Sequence, residues 1–576
     1  MSDLKNMGMI VETDVLVIGG GVAGLWSSIK AREFVNRVTI VDKGPKDWGG
    51  QASLSGGGMV GVIPEDSVQK SLEDFVYYYD GLCDQELMEM ILANSYKRMQ
   101  DLERLGYEFI CDEQGRLKGV PQRALDHVKC YIGQPFGKGG KSMVGVLVKE
   151  ADRLGVQRLG RIVVTDILKH QDSVCGAVGF NSRNGQFYIF KARAVILAVG
   201  NVGWKISYGH NTCAGDSVDI GLRAGAEISN CEFARLWLVP RYFSWEGQTY
   251  LLPLGARLVN AKGESFMDKY SPVFGGNTDP IFIARALCIE TLKGNAPFYM
   301  DCSGMSAESV EMMTPKGRDW MEINYLKLRD MGMDLFRDKT EWMIHLRWTV
   351  MGIHADLEGR TRVPGLFVCG RARSTDPTPY SGGLSLCLCA VTGNRTGEAA
   401  GKFADSQKQL PIDSAGVKSL KDRLSAHLSR EGITPVEVLR EVREAVFPYY
   451  VCALKTKRNL QKALAKIQEI RAELIPRMAA RDPHYLMKLI EVGGIALFTE
   501  LFLRASLMRT ESRAGHFRED YPDRDNENWL SWVIVGQREH EIAFRTEQLP
   551  IARYKIKPTR YYTDNFRFPR VEHLLP

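Results

Sequence analysis

Residues 14–24 read DVLVIGGGVAG, and this stretch decides the fold. Val15 to Ile18 form an apolar run that is too short for a helix and is predicted as a buried parallel strand. Gly19, Gly21 and Gly24 follow with the spacing G-x-G-x-x-G: the first makes a tight turn, the second admits a pyrophosphate and the third lets a helix pack on the strand. Anionic phosphates would sit at the N-terminus of that helix.

A second apolar run, Val38 to Val41, ends at Asp42, which is placed to accept hydrogen bonds from a ribose. The order of strand, glycine turn, helix, strand and acid predicts a dinucleotide-binding α/β domain. Residues 43–61 contain GGQASLSGGGMVG. Such a density of glycine and serine indicates that the backbone passes close to the bound cofactor.

The composition is that of a globular protein of several domains, with 576 residues, 44% hydrophobic and 25% charged. The net charge of +6 is small for this length and no basic stripe alternates with aromatic residues, so nucleic acid is not expected as a partner. The sequence shows no segment of signal-peptide or transmembrane length. We expect a cytoplasmic protein, at most peripheral to a membrane through a partner.

The 12 cysteines are scattered, and Cys387 and Cys389 are the closest pair. Because no C-x-x-C spacing occurs, we expect reduced, mostly buried thiols rather than ligands of an iron–sulphur cluster or another metal.

Two further strand patterns indicate that the chain returns to the first sheet, each time after a segment that folds elsewhere. AVILAVG at 194–200 and VPGLFVCG at 363–370 are buried strands that end in glycine, whereas residues after 413 show helical periods with charged faces. The predicted organisation is a dinucleotide domain in two parts (1–230, with a helical excursion at 60–150, and 346–412), an inserted domain (231–345), a helical domain (413–530) and a tail (531–576).

Six ordered motifs together carry a family resemblance: VIGGGVAGLWSSIKA, GGQASLSGGG, KARAVILAVGN, GDSVDIGLRAGAE, VPGLFVCGRA and SLMRTESRAGHFREDYPDRDNENWL. They resemble the flavoprotein subunit of the fumarate reductase and succinate dehydrogenase superfamily, whose relatives include aspartate oxidase and the adenylylsulfate reductase α subunit. The resemblance implies a Rossmann-like α/β FAD-binding domain, an inserted α+β capping domain and a C-terminal helical domain that carries the RxESR-type segment at 509–513.

The resemblance also implies which residues lie near FAD. Asp216 is open to two interpretations, as a helix cap or as a cofactor contact. The amides around Ser385 and Leu386 would lie near flavin N1 and O2, where the helix dipole stabilises the anionic reduced flavin. The full set is Gly19, Gly21, Gly24, Asp42, Lys43, Ser53, Gly56, Gly57, Ala198, Gly200, Asp216, Arg371, Ser385 and Leu386.

Several departures from the family pattern concern the cofactor linkage and the substrate. Gly50 stands where quinone-linked members carry the histidine that attaches FAD, so FAD is expected to be non-covalent. Arg371 stands where the family has an acid after the strand glycine. The residues at the histidine and arginine positions that clamp a C4 dicarboxylate are Trp237, Thr278, Arg347 and Tyr380. Together they predict that the site does not hold such a substrate.

The residues predicted at the substrate are Arg347, Tyr380, Trp237, Arg285 and His354, with Arg371, Arg257 and His345 as further candidates. Tyrosine or arginine could deliver a proton, and tryptophan could stack on a planar substrate. A core role for the tryptophan and ion-pair roles for the arginines are the alternatives.

The favoured hypothesis is an FAD-dependent reductase that takes electrons from a separate ferredoxin-like iron–sulphur subunit and reduces a non-dicarboxylate small molecule, such as a conjugated alkene or a sulphur oxyanion ester. The alternatives are the adenylylsulfate reductase α subunit itself and a non-catalytic electron-transfer subunit. Direct reoxidation by oxygen is also open.

Overall fold

The first predicted strand, Val15–Ile18, lies at the centre of a five-stranded parallel sheet. The computed structural model describes residues 2–134, 138–205, 214–241, 248–314, 322–428, 430–538 and 541–576. The sheet follows the order Leu366–Val368, Ala194–Leu197, Val15–Ile18, Val38–Asp42 and Gln157–Gly160. Because the strands are parallel, their carboxyl ends meet at one edge, where open α/β sheets bind ligands.

Two helices run parallel to each other on this sheet, Val22–Ala31 and Leu384–Ser406. The second helix packs on the first through Gly393, Gly397 and Gly401. These glycines lie on one face, because residues four apart share a side of a helix. A Cβ atom at Gly397 would lie 2.3 Å from the Ser27 carbonyl oxygen. This close packing brings the N-termini of both helices, with their partial positive charge, to the carboxyl edge of the sheet.

The inserted capping domain, called the cap below, contains an antiparallel sheet. Its main strands are Ala234–Pro240 and Thr340–Thr349. The second strand runs across the predicted boundary at 345/346, so the cap continues to Thr349. Parts of the predicted capping domain, 242–247 and 315–321, lie outside the described residues. The remaining strands of the cap sheet are Val202–Gly203, Arg257–Val259 and Phe298–Asp301.

The excursion after the first strands contains helices and a small sheet. The helical excursion predicted at 60–150 begins with two helices, Val68–Tyr78 and Gln85–Arg104. The break lies where Asp80 has a positive φ and Asp84 caps the second helix through the Leu87 amide. The small sheet consists of Met59–Gly61, Lys129–Tyr131 and Gly119–Pro121.

Two further sheets flank the core. One consists of Met9–Glu12, Phe187–Lys191, Ser173–Asn181 and Ile162–His170. The other joins the C-terminal strands to short strands from the middle of the chain and consists of Gly352–Ile353, Ile228–Ser229, Ser531–Arg538 and Glu541–Gln548.

The helical region packs on the central domain through its long helix Pro483–Met508. Gly494 of this helix approaches Gly215 so closely that a Cβ atom at Gly215 would lie 2.7 Å from the Gly494 carbonyl oxygen. The other helices are Ser2–Met7, Gly139–Arg153, Asp216–Ala224, Met267–Tyr270, Pro280–Leu292, Ala307–Met313, Glu322–Asp330, Ser414–Ala426, Pro435–Val446, Tyr449–Cys452, Lys457–Glu469 and Asn526–Trp529. Among the described helices, none has the length and apolar character needed to cross a membrane.

Candidate active site

A cavity of about 650 Å³ runs from the carboxyl edge of the parallel sheet to the cap sheet. This volume is within the range of ligand and cofactor sites. The turns after four parallel strands contribute to its wall. Of the predicted cofactor residues, those that line it are Gly19, Gly21, Asp42, Lys43, Gly56, Ala198, Gly200, Asp216, Arg371, Ser385 and Leu386.

Glycines leave the backbone of this wall open to a ligand. A Cβ atom at Gly56 or Gly200 would meet no heavy atom within 4 Å, and at Gly21 the nearest would be 3.7 Å away. The two helix N-termini at the same edge have no side-chain cap. Exposed backbone and uncapped amides fit the pyrophosphate and ring of a bound dinucleotide.

Gly24, Ser53 and Gly57 do not line the cavity. A Cβ atom at Gly24 would lie 1.9 Å from the Gly19 carbonyl oxygen, so this glycine allows the helix to pack on the strand. Ser53 donates to the Trp48 carbonyl, and the Gly57 carbonyl accepts from Tyr107 at 2.7 Å. These residues therefore support the wall through packing and hydrogen bonds without lining the cavity.

Asp42 lies at the end of its strand and accepts hydrogen bonds from the amides of Gly20 and Gly44, both at 2.6 Å. Burial raises the pKa of this carboxyl, and the two amides oppose the rise. Its position at the cavity is that expected of a ribose ligand.

A buried charge cluster stands beside Asp42. Lys43 Nζ donates to Asp216 at 2.7 Å and to Glu491 at 2.8 Å, and Lys205 also pairs with Glu491. Burial alone would raise the pKa of Glu491, but the two lysines outweigh it and lower the pKa to about 2. Asp216 is the first residue of its helix rather than the cap, and its carboxylate fixes Lys43.

Arg371 is held at the N-terminus of the helix Leu384–Ser406. Its Nε donates to Ser385 Oγ at 3.0 Å, and its Nη1 pairs with the buried Asp376. Burial opposes the charge of Arg371, but Asp376 outweighs it and raises the pKa of the guanidinium. Nη2 is buried without a hydrogen-bond partner.

An aromatic wall formed by Trp237, Trp348 and Tyr380 lines the far part of the cavity. The Trp237 ring centroid lies 6.1 Å from that of Trp348 and 5.7 Å from that of Tyr380. Arg347 does not line the cavity: its guanidinium stacks on both tryptophans, at 5.1 and 4.8 Å from the ring centroids. Arg235 stacks on Tyr380 in the same way, at 4.7 Å.

Four predicted substrate candidates are placed away from the cavity. Arg285 is buried against Glu519 at 2.8 Å, and Arg257 pairs with Asp301 on the cap surface. His354 and His345 are also absent from the cavity wall. Burial, assisted by Arg347 and Arg443, lowers the pKa of His345 to about 4. None of these four side chains lines the cavity as the described residues form it.

Sequence reasoning missed several polar residues of the wall, namely Gln122, Arg123, Asn277, Asp279 and Ser381. Asp279 accepts from the Tyr380 amide at 2.8 Å and from Tyr78 at 3.1 Å. Burial raises its pKa against these hydrogen bonds. Gln122 and Arg123 belong to the excursion, where no motif indicated a role.

The chain matches the family model described as FAD binding domain over residues 14–386, which is more than half of its length. The chain belongs to this FAD-binding flavoprotein family. A second model, described as fumarate reductase flavoprotein C-term, matches residues 444–562. These matches confirm the predicted superfamily, its α/β fold class, an FAD-dependent oxidoreductase activity and FAD as the cofactor.

Curated relatives of this flavoprotein are similar over nearly their full length. A fumarate reductase (CoM/CoB) polypeptide of Methanothermobacter marburgensis is 27% identical, over 92% of this chain and 98% of that protein. L-aspartate oxidase of Pseudomonas aeruginosa is 26% identical, over 89% and 96% respectively.

Solved structures share the fold. A chain of E. coli quinol fumarate reductase superposes with a TM-score of 0.87 at 21% identity, covering 96% of this chain and 99% of that chain. Adenylylsulfate reductase from Archaeoglobus fulgidus superposes with a TM-score of 0.77 at 21% identity, covering 94% and 97%.

Proposed function

We propose that this flavoprotein is a reductase of a planar, conjugated substrate other than a C4 dicarboxylate. The observation that carries the proposal is the aromatic wall of Trp237, Trp348 and Tyr380, each ring backed by an arginine, at the end of the FAD cavity. A flat substrate would stack between this wall and the flavin, because aromatic faces stabilise planar ligands.

The positions that would clamp a dicarboxylate cannot do so with the side chains present. Trp237 and Tyr380 are uncharged, and Thr278 is buried with its hydroxyl bonded to Tyr562 at 2.7 Å. Arg347 keeps a guanidinium but holds it behind the tryptophan rings. These four positions therefore offer a dicarboxylate fewer bidentate partners than the histidine and arginine side chains of the family pattern would.

The polar side chains of the wall favour catalysis over a degenerate, non-catalytic pocket. When bound, FAD supplies hydride transfer to a substrate carbon. Tyr380, fixed through its amide by Asp279, stands in the wall as the candidate donor of the balancing proton. A pocket that had lost its function would be expected to have filled with apolar side chains.

FAD is proposed to be non-covalent. Gly50 lines the cavity at the predicted attachment position and offers no nucleophilic side chain. Acid precipitation of the loaded protein should release all of its flavin into the supernatant, and flavin that remains with the pellet would contradict this assignment.

An iron–sulphur electron-transfer subunit is the proposed electron source. Among the described residues, no group of three or more His, Cys, Asp or Glu side chains could hold a metal. Several relatives are themselves described as subunits of fumarate reductases. Two single-electron transfers from such a partner would restore the reduced flavin after each turnover.

The adenylylsulfate reductase α subunit is the second candidate, because the solved structures that share the fold include such enzymes. The aromatic wall could then hold an adenine ring.

Anaerobic reoxidation of the chemically reduced protein tests the proposal. Cinnamate and its substituted relatives form one arm, and sulfite with AMP, added to the oxidised protein, forms the other. Reoxidation by an enoate, slowed at least tenfold in Trp237→Ala with FAD content unchanged, supports the proposal. Flavin reduction by sulfite that requires AMP and forms adenylylsulfate would instead establish the second candidate. If neither arm reacts, the non-catalytic subunit becomes the better account.

A further inference from the structure

Two side chains of the cavity wall carry buried hydrogen-bond donors without an acceptor. Only 9% of the Arg371 side chain is exposed, and its Nη2 has no hydrogen-bond partner among the described residues. Ser381 is 2% exposed, and its Oγ also lacks a partner in the part of the chain that the structure describes. Because a buried donor without an acceptor is costly, both side chains indicate a ligand that accepts hydrogen bonds.

Both side chains are attached to the first turn of the helix Leu384–Ser406. The Ser381 carbonyl oxygen accepts from the Leu384 amide at 3.3 Å, and Arg371 Nε donates to Ser385 Oγ at 3.0 Å. This helix has no side-chain cap, so the partial positive charge of its N-terminus adds to the charge of Arg371. The two donors therefore lie at one corner of the cavity, where negative charge on a ligand is favoured.

Two guanidinium groups share one carboxylate beside the aromatic wall. Asp376 pairs with Arg371 and also with Arg235, whose Nη2 lies 2.7 Å from it. Arg235 in turn stacks on Tyr380 at 4.7 Å. Tyr380 belongs to the aromatic wall and directly precedes Ser381 in the chain. These contacts place both donors next to the wall on which a planar substrate is proposed to stack.

The chemistry of hydride addition gives such donors a role. An alkene accepts hydride at one carbon when its displaced electron pair can move onto a conjugated carbonyl oxygen, which forms an enolate. A proton added to the other carbon then gives the saturated carbonyl compound. Hydrogen bonds aimed at the oxygen lower the barrier, because they strengthen as its negative charge develops.

We propose that Arg371 and Ser381 form an oxyanion hole for the carbonyl oxygen of an α,β-unsaturated carbonyl substrate. The inference rests on the proposed function, in which bound FAD supplies the hydride. It narrows the substrate class from planar conjugated compounds to those in which the alkene is conjugated with a carbonyl group. The aromatic wall holds the planar part of the substrate, and the two donors hold its oxygen.

Binding of a phenolate to the oxidised, FAD-loaded full chain tests the oxyanion hole without turnover. A phenolate imitates an enolate, because its negative oxygen is conjugated with a planar carbon system. Para-cyanophenol and para-cyanoanisole are titrated separately at a pH at which the phenol is ionised, and the change in flavin absorbance reports binding. We expect the phenolate to bind at least tenfold more tightly than the neutral ether.

Variants assign the preference to the two residues. Arg371→Gln and Ser381→Ala should each weaken phenolate binding at least fivefold and leave the ether unchanged, whereas Arg371→Lys should keep part of the preference. Ser381→Ala removes a single oxygen atom, so it keeps the test decisive if Arg371→Gln does not fold. Ser27→Ala is the matched control: Ser27 is buried away from the cavity wall, and its hydroxyl donates to the Gly24 carbonyl at 3.0 Å.

Equal binding of the phenolate and the ether would overturn the oxyanion hole, as would a preference that either Arg371→Gln or Ser381→Ala leaves unchanged. Such a result is expected if a carbonyl group of the flavin accepts from these donors instead. The outcome is separate from the proposed reaction. A phenolate preference that depends on both residues, in a protein that no enoate reoxidises, would keep the oxyanion hole and reject the reductase proposal. Enoate turnover without a phenolate preference would do the reverse.

Discussion

Lys43 and Glu491 form an ion pair of 2.8 Å across 448 residues of sequence. Lys43 follows the strand that ends at Asp42, whereas Glu491 belongs to the long helix of the C-terminal region. The pair therefore fastens the helical region to the wall of the FAD cavity. Because the pair is buried, removing the charge of either residue would destabilise the protein by leaving the other charge without this partner.

Glu491→Gln should destabilise the protein by about 3–5 kcal/mol, because Lys205 and Lys43 both lose a buried carboxylate partner. FAD affinity should fall as well, since Lys43 lines the cavity. Urea unfolding of the apo protein and flavin titration measure the two effects. Glu398→Gln is the control: its pair with Lys402 is at the surface, and a loss of less than about 1 kcal/mol is expected.

The same carboxylate makes stability depend on pH. The pKa of Glu491 is lowered from 4.5 to about 2, so its contribution is complete above about pH 4.5 and is lost as pH falls toward 2. The Glu491→Gln variant should show a shallower loss of stability between these values. Parallel curves for the two proteins would contradict the assignment.

Gly21→Ala should weaken FAD binding, whereas Gly24→Ala should lower the stability of the apo protein. At Gly21 the added methyl group points into open space, 3.7 Å from its nearest neighbour, so the protein should fold but bind FAD at least tenfold more weakly. At Gly24 the methyl group would collide with the Gly19 carbonyl oxygen, so the apo protein itself should lose stability. Thermal unfolding and FAD titration separate the outcomes, and equal stability of the two apo variants would contradict this division.

Arg285→Gln should lower stability without changing the flavin. The Arg285 guanidinium pairs with Glu519 and stacks on Phe517 and Phe568, away from the cavity. Loss of one partner of a buried pair costs about 3–5 kcal/mol, and Arg285→Gln combined with Glu519→Gln should recover part of it. A changed flavin spectrum or reoxidation rate in a folded Arg285→Gln protein would return this arginine to the active site.

Arg371→Gln should lower the midpoint potential of the bound flavin by ~30 mV, which corresponds to about 1.4 kcal/mol for a two-electron couple. The reason is that Arg371 adds a buried positive charge beside Ser385, at the helix N-terminus where the reduced flavin is expected to carry negative charge. Dye-equilibrated reduction measures the potential. Arg371→Lys should stay near the wild-type value, and an unchanged potential in Arg371→Gln would contradict the role.

The parts of the fold that sequence alone predicted are those governed by local patterns. The run at Val15–Ile18 and the glycine spacing after it specify strand, turn and helix within a few residues, and the strands lie as expected. The continuation of the cap strand to Thr349 was not predicted, because its antiparallel partner, Ala234–Pro240, is distant in the sequence.

The substrate side of the site was harder to predict for the same reason. Nearness to a motif in sequence does not reveal which side of an element a side chain occupies, so Arg285 and His354 were expected in a cavity that neither lines. Glu491 was missed because it pairs with Lys43 from a helix segment with no motif of its own. Arg123 was missed because it lines the cavity from another segment without a motif.

The cavity of this flavoprotein is expected to select a planar conjugated substrate and to reject a C4 dicarboxylate. Stopped-flow reoxidation of the fully reduced, FAD-loaded protein by equal concentrations of fumarate and cinnamate, without oxygen, tests this selectivity most directly. We predict flavin reoxidation by cinnamate at least a hundredfold faster than by fumarate. Rapid reoxidation by fumarate, with cinnamate inert, would contradict the proposed substrate class.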